Sequence, residues 1–435
     1  MAETTPDAQA QSQDRDQAKT FTGFGGAIAA MSVPAYRDFT IANTISLTGT
    51  WLQKLATGWL VWELTQSPSW LGIITFVDLG TQITVGPLAG ALADRVSRQR
   101  LMVVAQVVMM AQALAIAVFY MVGWVNIWLL VALTVLLSSG QGTHTAARNS
   151  LIPNLVPKGL LAPAIGINAL TFNLARFMGP AAAGGVIGAW GLSPAFVLNA
   201  LSYLPFMYVL WRLRIVTPDD IRPSGDGLFA QIAEGMSYVR HHPGIGPLTL
   251  IMGVTAFSVR ALPDMLPGFS AEIFSRGAEG LAWLTCAMGL GAAVGGAVLA
   301  RTNGTDGLTR RLAWNVGCMS LAILAFVATR NFTIGLIAAA ACGYVMTTNG
   351  ATSQTLIQSA VEGAVRGRVM ATFTLIYQGA PALGGLILGY LAEYIGLRPA
   401  FACGAALCFC AFLWMLPRSY GMGAALETGR AAKKP

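Results

Sequence analysis

The sequence predicts an all-α polytopic membrane protein, with twelve transmembrane helices arranged as two six-helix bundles. Three observations lead there. Hydrophobic residues make up 55% of the 435-residue chain and charged residues only 11%, with a mean hydropathy of +0.60, whereas a soluble domain carries about 25% charged residues. Apolar runs of the length a bilayer requires, about 20 residues, alternate with short loops containing Arg, Gly or Pro. Short motifs also recur in the same order in the two halves, as expected of a membrane protein built from repeats.

Taken in order, residues 1–35 form an N-terminal segment: 1–20 are polar and read as disordered. The apolar stretch Phe21–Met31 is too short to span and lacks the basic flank of a signal peptide. The first bundle, 36–213, holds spans near 38–63, 69–92, 100–123, 126–149, 160–189 and 193–212. A linker, 214–243, opens with the Pro- and Asp-containing loop Ile215–Gly227. It continues as the amphipathic stretch Leu228–Arg240, expected to lie along the membrane surface. The second bundle, 244–418, holds spans near 245–270, 278–300, 309–329, 332–358, 368–393 and 397–417, and 419–435 form a tail. In the fourth, fifth and tenth spans Thr, Asn, Gln and Gly interrupt the apolar pattern, which suggests a water-lined cavity.

Basic residues set the orientation. With the N-terminus inside, the loops on that side carry Arg95, Arg98, Arg100, Arg148, Arg212, Arg240, Arg310, Arg311, Arg366, Arg368 and others. The opposite loops carry Arg276, Arg330 and Arg398. Both termini are therefore expected in the cytoplasm. Basic loops beside anionic lipid account for the formal net charge of +8, so nucleic acid is not expected as a partner.

The repeat is visible in Ser150-Leu151-Ile152-Pro153 with Val156, which recurs as Thr355-Leu356-Ile357-Gln358 with Val361. Gly184-Gly185 recurs as Gly384-Gly385. Gly90 falls on Gly295, but Leu299 stands where the first copy has Asp94.

Ionisable residues at membrane depth are costly and mark functional sites. Lys54 and Asp78 lie at equal distances on either side of Gln66, so antiparallel helices bring them to one depth as an ion pair. Arg260 and Asp264, spaced i, i+4, fall on one face of the seventh span and suggest a second pair, in a helix interrupted by Pro263 and Pro267. Asp78 and Asp264 are the two carboxylates suited to proton coupling. Gln53, His144, Arg176, Asn349 and Tyr377 are candidates for lining the substrate cavity. Arg176 suits an anionic substrate or the backbone carbonyls near a kink; His144 suits a hydrogen-bonded helix contact or a proton relay. His241 and His242 have no cysteine or further histidine at metal-ligand spacing and read as interfacial. All six cysteines fall within spans of the second half, so they give no evidence of a disulfide framework. No phosphate-binding loop, nucleotide domain or metal cluster is present in the sequence. No enzyme activity, cofactor or metal is therefore expected, and energy must come from an ion gradient or the substrate's own gradient.

Gly90-Ala91-Leu92-Ala93-Asp94-Arg95-Val96-Ser97-Arg98-Gln99-Arg100 resembles the signature loop of the major facilitator superfamily. Trp51–Leu60 with Glu63-Leu64-Thr65, Ala175–Pro180 and Arg366–Met370 resemble its bacterial enterobactin-exporter-like branch. The resemblance implies alternating access between two six-helix bundles in a bacterial plasma membrane, and export of a small amphipathic molecule such as a siderophore, macrolide or other drug. In such a transporter Gly90, Asp94, Arg95 and Arg98 form the gating loop, and Arg148 pairs with Asp94 or with lipid phosphate. Gly179-Pro180 followed by Gly184-Gly185 resembles the family's antiporter helix-kink motif with one additional residue of spacing, which implies protons as the coupling ion. One element departs from the pattern: Ser138 precedes Gln141-Gly142 where proton-coupled drug antiporters have an arginine. The expected partners are a small-molecule substrate, protons and the lipid bilayer, with the protein monomeric. Two rival readings are an importer or facilitator of a small nutrient and a non-transporting sensor on a transporter scaffold.

Overall fold

The structure, a computed structural model, describes residues 23–93, 96–213, 228–299, 301, 304–361 and 365–427, and among them every regular element is helical. The first half comprises α1 (Gly23–Met31), α2 (Pro34–Thr65), α3 (Pro68–Ala93), α4 (Arg98–Val122), α5 (Ile127–Leu151), α6 (Leu161–Trp190) and α7 (Leu192–Arg212). After α8 (Leu228–His241), the second half comprises α9 (Ile245–Val259), α10 (Leu262–Gly268), α11 (Gly277–Leu299), α12 (Leu308–Ala328), α13 (Phe332–Ala360), α14 (Arg366–Ile395) and α15 (Leu397–Leu426).

Local sequence sets the ends of these helices. Pro34 opens α2 at a position where its missing N–H costs nothing. Asn126 starts α5 by accepting the Leu129 N–H at 3.0 Å, and Asn331 starts α13 by accepting from Thr333 and Ile334. Gly191 (φ 82°) separates α6 from α7 and Gly396 (φ 87°) separates α14 from α15, both in backbone conformations that favour glycine. Each pair lies at equivalent points of the two halves, so the repeat extends to the punctuation between helices. Helix packing repeats too. In the first half α2 packs on α6 and α7, α3 on α5, and α4 on α5 and α7. In the second half α9 packs on α14 and α15, α11 on α13, and α12 on α13 and α15.

Ten helical segments are long and apolar enough to cross a membrane. Two others, α2 and α6, have 32 and 30 residues but are not among those ten. Their polar content explains this, since α2 alone buries Thr40, Asn43, Ser46 and Gln53. The seventh expected span is broken: α9 stops at Val259, α10 restarts at Leu262 with Pro263 in its first turn, and a π-helical turn follows over Phe269–Ile273.

The halves touch through α3 with α14 and α6 with α11. At the end formed by the turns after α2, α6 and α14, contact is at backbone distance. A Cβ at Gly72 would strike the Gly385 carbonyl, and one at Gly184 would strike Ala282. Toward the opposite end the helices part. Ile83 is 3.7 Å from the ideal Cβ of Gly379, while at Gly86, Gly90 and Gly367 nothing lies within 4 Å. The result is a cleft, narrow at the first end and wide at the end carrying α8.

The amphipathic helix α8 packs against α14 and α9 of the second half. Gly235 lets it press against the Arg368 carbonyl of α14, and Glu234 pairs with Arg368. His242, just after it, accepts the Gly244 and Ile245 N–H groups on Nδ1 at 3.2 and 3.1 Å, and burial lowers its pKa. The final helix runs past the expected end of the last span. Glu427 then caps α12, accepting the Gly307 and Thr309 N–H groups at 2.6 and 2.7 Å.

Candidate functional site

The waist of the cleft is organised by Lys54. On α2, Gln53 and Lys54 are consecutive and so point about 100° apart. Gln53 turns inward, fully buried, its amide bonded to Gln112 at 2.8 Å and to Asn199. That placement corrects the expectation that Gln53 lines the cavity, because both ends of its amide are satisfied inside the first half. Lys54 instead opens onto the cleft with a side chain 41% exposed.

Its ammonium lies 3.6 Å from Asp78 on α3 and 3.4 Å from Asp264 on α10. One cation thus bridges carboxylates from the two halves. Asp78 is also held by Gln82, one turn along α3, at 2.7 Å and by Ser138 of α5 at 2.6 Å. Ser138, the residue that stands where an arginine was expected, supplies a hydroxyl to a carboxylate whose cation comes from Lys54.

The i, i+4 pairing of Arg260 with Asp264 is not made. Helix α9 ends at Val259 and α10 begins at Leu262, so the two residues do not share one continuous helix and the phase that would place both on one face is lost. Arg260 lies instead with its guanidinium carbon 3.6 Å from the Tyr377 ring centroid, and Tyr377 stacks on Phe373 with centroids 5.3 Å apart. Its Nη1 is buried without a hydrogen-bond partner, as is Nδ2 of Asn349. Both residues line one small cavity with Met252, Thr255, Met319, Met346 and Tyr377.

Arg176 of α6, in the same half as Lys54, lies 5.6 Å from the Trp51 ring, and Lys54 lies 5.7 Å from that same ring. Arg176 is within electrostatic reach of Arg260, Asp264 and Tyr377. His144 is not at the waist: it is buried in the first half against Phe206, near Arg148, whose side chain is also buried. This corrects its assignment to the cavity lining. Of the kink motif, Gly179 seats α6 on α2 beside Trp51 and Leu52, and Pro180 is buried within α6. Gly184 makes the contact between halves, and Gly185 faces open space. Of the gating loop, Gly90 meets no neighbour and Arg98 is buried at the start of α4, while Asp94 and Arg95 lie outside the described residues.

The narrow end adds a contact that the sequence reading missed. Glu393 of α14 accepts the Ser67 hydroxyl at 2.6 Å and the Ser69 N–H at 3.3 Å, at the start of α3. A carboxylate of one half therefore caps a helix of the other. Gln82 was readable as the i+4 neighbour of Asp78; the Glu393 contact joins residues far apart in the chain and left no local signal. Among the described residues no group of His, Cys, Asp and Glu is arranged to hold a metal ion.

Comparison with known proteins agrees with this architecture. The chain is 23% identical to macrolide efflux protein A of Streptococcus pyogenes, over 85% of this chain and 92% of the relative. It is 22% identical to the staphyloferrin A transporter of Staphylococcus aureus, over 81% and 88%. Among solved structures, a bacterial homologue of the iron transporter ferroportin in its inward-facing state superposes with a TM-score of 0.68 at 14% identity, covering 90% of this chain and 98% of that one. The family model for transmembrane secretion effectors matches residues 25–426. A multi-pass helical chain with two repeated halves around a charged cleft, matched over nearly its whole length by that model, belongs to the transmembrane secretion effector family of major facilitator superfamily transporters.

Proposed function

We propose that this transporter is a secondary active exporter of a small amphipathic molecule, such as a siderophore, a macrolide or another drug, across a bacterial plasma membrane. The observation that carries the reading is the cleft itself, closed by backbone contacts at one end, open at the other, with a Lys54-centred ion bridge between the halves at its waist. In this reading α2 and α6 also cross the bilayer, giving twelve spans. Arg98, Arg100, Arg212, Arg310, Arg311 and Arg368 gather at the wide end, so that end and both termini are cytoplasmic and this is the inward-facing state. Similarity to macrolide and siderophore transporters supports efflux. Asp78 and Asp264 are the groups proposed for proton antiport: neutralising either one releases Lys54 from one half. Asp94 is proposed to gate the wide end against the start of α14, so Asp94→Ala should slow turnover more than it weakens affinity. The protein is proposed to act as a monomer.

The test is an untargeted comparison of metabolites in cells and medium from a deletion strain and its complemented control, grown with and without iron. Export predicts a compound retained in deleted cells and depleted from their medium. A compound left behind in the medium would make the protein an importer, and no difference in any condition would turn attention to foreign drugs or to the sensor reading.

A further inference from the structure

We infer that the substrate carries anionic oxygens and that Arg260 and Asn349 form the subsite that receives them. This deepens the export reading and rests on it for the word substrate, but the subsite is defined by its own geometry. Two buried donors, Arg260 Nη1 and Asn349 Nδ2, lack partners and line the same cavity. Both atoms only donate, so the group that satisfies them must accept, and a carboxylate or similar oxyanion matches the guanidinium fork. Arg260 is presented with its face fixed on Tyr377, itself stacked on Phe373, which restricts the guanidinium in advance of binding. The cavity they share with Met252, Met319 and Met346 has room for one water-sized group, about 10 Å³, so it takes an oxygen of the anion and not the body attached to it.

Charge balance at the waist gives an independent argument. Among the described residues, Lys54, Arg176 and Arg260 are coupled to two carboxylates, Asp78 and Asp264. These five side chains together carry one excess positive charge at membrane depth, where uncompensated charge is unfavourable. A monoanionic ligand brings the cluster to neutrality with both carboxylates ionised, whereas a cationic ligand adds to the excess.

The test uses the full-length protein in nanodiscs, with thermal melting measured against benzoate, salicylate and 2,3-dihydroxybenzoate, and against benzylamine and benzyl alcohol at the same concentrations. The anions should raise Tm by at least about 3 °C while the amine and alcohol leave it unchanged, since only ligands that bind the folded state stabilise it. Arg260→Gln should raise the half-saturating concentration at least tenfold and Asn349→Ala about threefold. Arg260→Lys should fall between these and wild type, and Arg418→Gln, at an exposed site on α15, should match wild type. Stabilisation by the amine or alcohol equal to that by the anions, no response to any anion, or an Arg260→Gln or Asn349→Ala response equal to wild type would each overturn the subsite. Should Arg260→Gln not fold, Arg260→Lys and Asn349→Ala still decide. Anion binding without outward movement in proteoliposomes would remove the export reading and leave the subsite standing.

Discussion

Replacing Lys54 with Met turns a bridge into two carboxylates that confront one another across the cleft. At 3.4 and 3.6 Å each ion pair has a gross Coulomb energy of ~5 kcal/mol at an effective dielectric of ~20, falling to ~1 kcal/mol in bulk water. The Lys54 side chain is 41% exposed, so the lower end governs and a net ~1–2 kcal/mol per pair is the reasonable scale after solvent screening. Because the Asp264 arm joins the two halves, its loss should reduce the population of this conformation by about 5- to 30-fold relative to the alternative. Pulsed electron spin resonance between labels at Ser97 and Gly367, in a cysteine-free background, reads that population as a distance distribution. A double-mutant cycle of Lys54→Met with Asp264→Asn isolates the pair: each single variant loses the same arm, so the double variant should lose no more than Lys54→Met alone, a coupling of ~1–2 kcal/mol. Effects that add within ~0.3–0.5 kcal/mol, the behaviour of independent sites, would refute the bridge as an energetic link.

Four other outcomes follow from the packing. Gly72→Val should prevent closure at the narrow end, because a side chain there meets the Gly385 backbone; a cysteine at Ser69 would become reactive to an impermeant maleimide and transport would fall at least tenfold. Glu393→Gln removes the charge from the cap at Ser67 and Ser69; the same labelling rate at Ser69 should rise by a few-fold, for ~0.5–1 kcal/mol. Glu427→Ala uncaps α12 and should cost ~1 kcal/mol, seen as a lower melting temperature. His242 has a pKa lowered by burial, so its neutral form is favoured by folding. The stability it contributes is complete above the unfolded value of about 6.5 and is lost as pH falls below that toward the folded value. A His242→Gln variant should therefore show a flatter melting temperature between pH 7.5 and 5 than the wild type.

The sequence made some contacts visible and hid others for definable reasons. Lys54 and Asp78 could be matched because a hairpin maps equal chain distance to equal depth, and Gln66, with its left-handed φ of 48°, is the turn residue about which they are symmetric. Asp264 could not be matched to Lys54, since no local rule connects residues of separate bundles. It was instead given to Arg260 by a helical spacing that holds only while the helix is continuous. Gln53 and Lys54 show a different limit. Both sit on a helix with polar residues on many faces, so its rotation cannot be read from apolar periodicity, and the glutamine and lysine could not be told apart as buried and cleft-facing. The starts of α5, α7, α13 and α15 fall within one residue of the expected span starts, because Asn126, Gly191, Asn331 and Gly396 fix them by local geometry.

The break after Val259 has a mechanical meaning. Asp264 rides on α10, a rod of seven residues set off by turns from α9, which is itself packed along α14 and α15. An ionic contact with Lys54 is made or lost over an ångström or two, and because Leu262, Met265 and Leu266 of this rod are fully buried, such a shift is passed directly to the helices packed around it. In the proposed export cycle a change of charge at Lys54 is therefore coupled through α10 to movement of one bundle against the other.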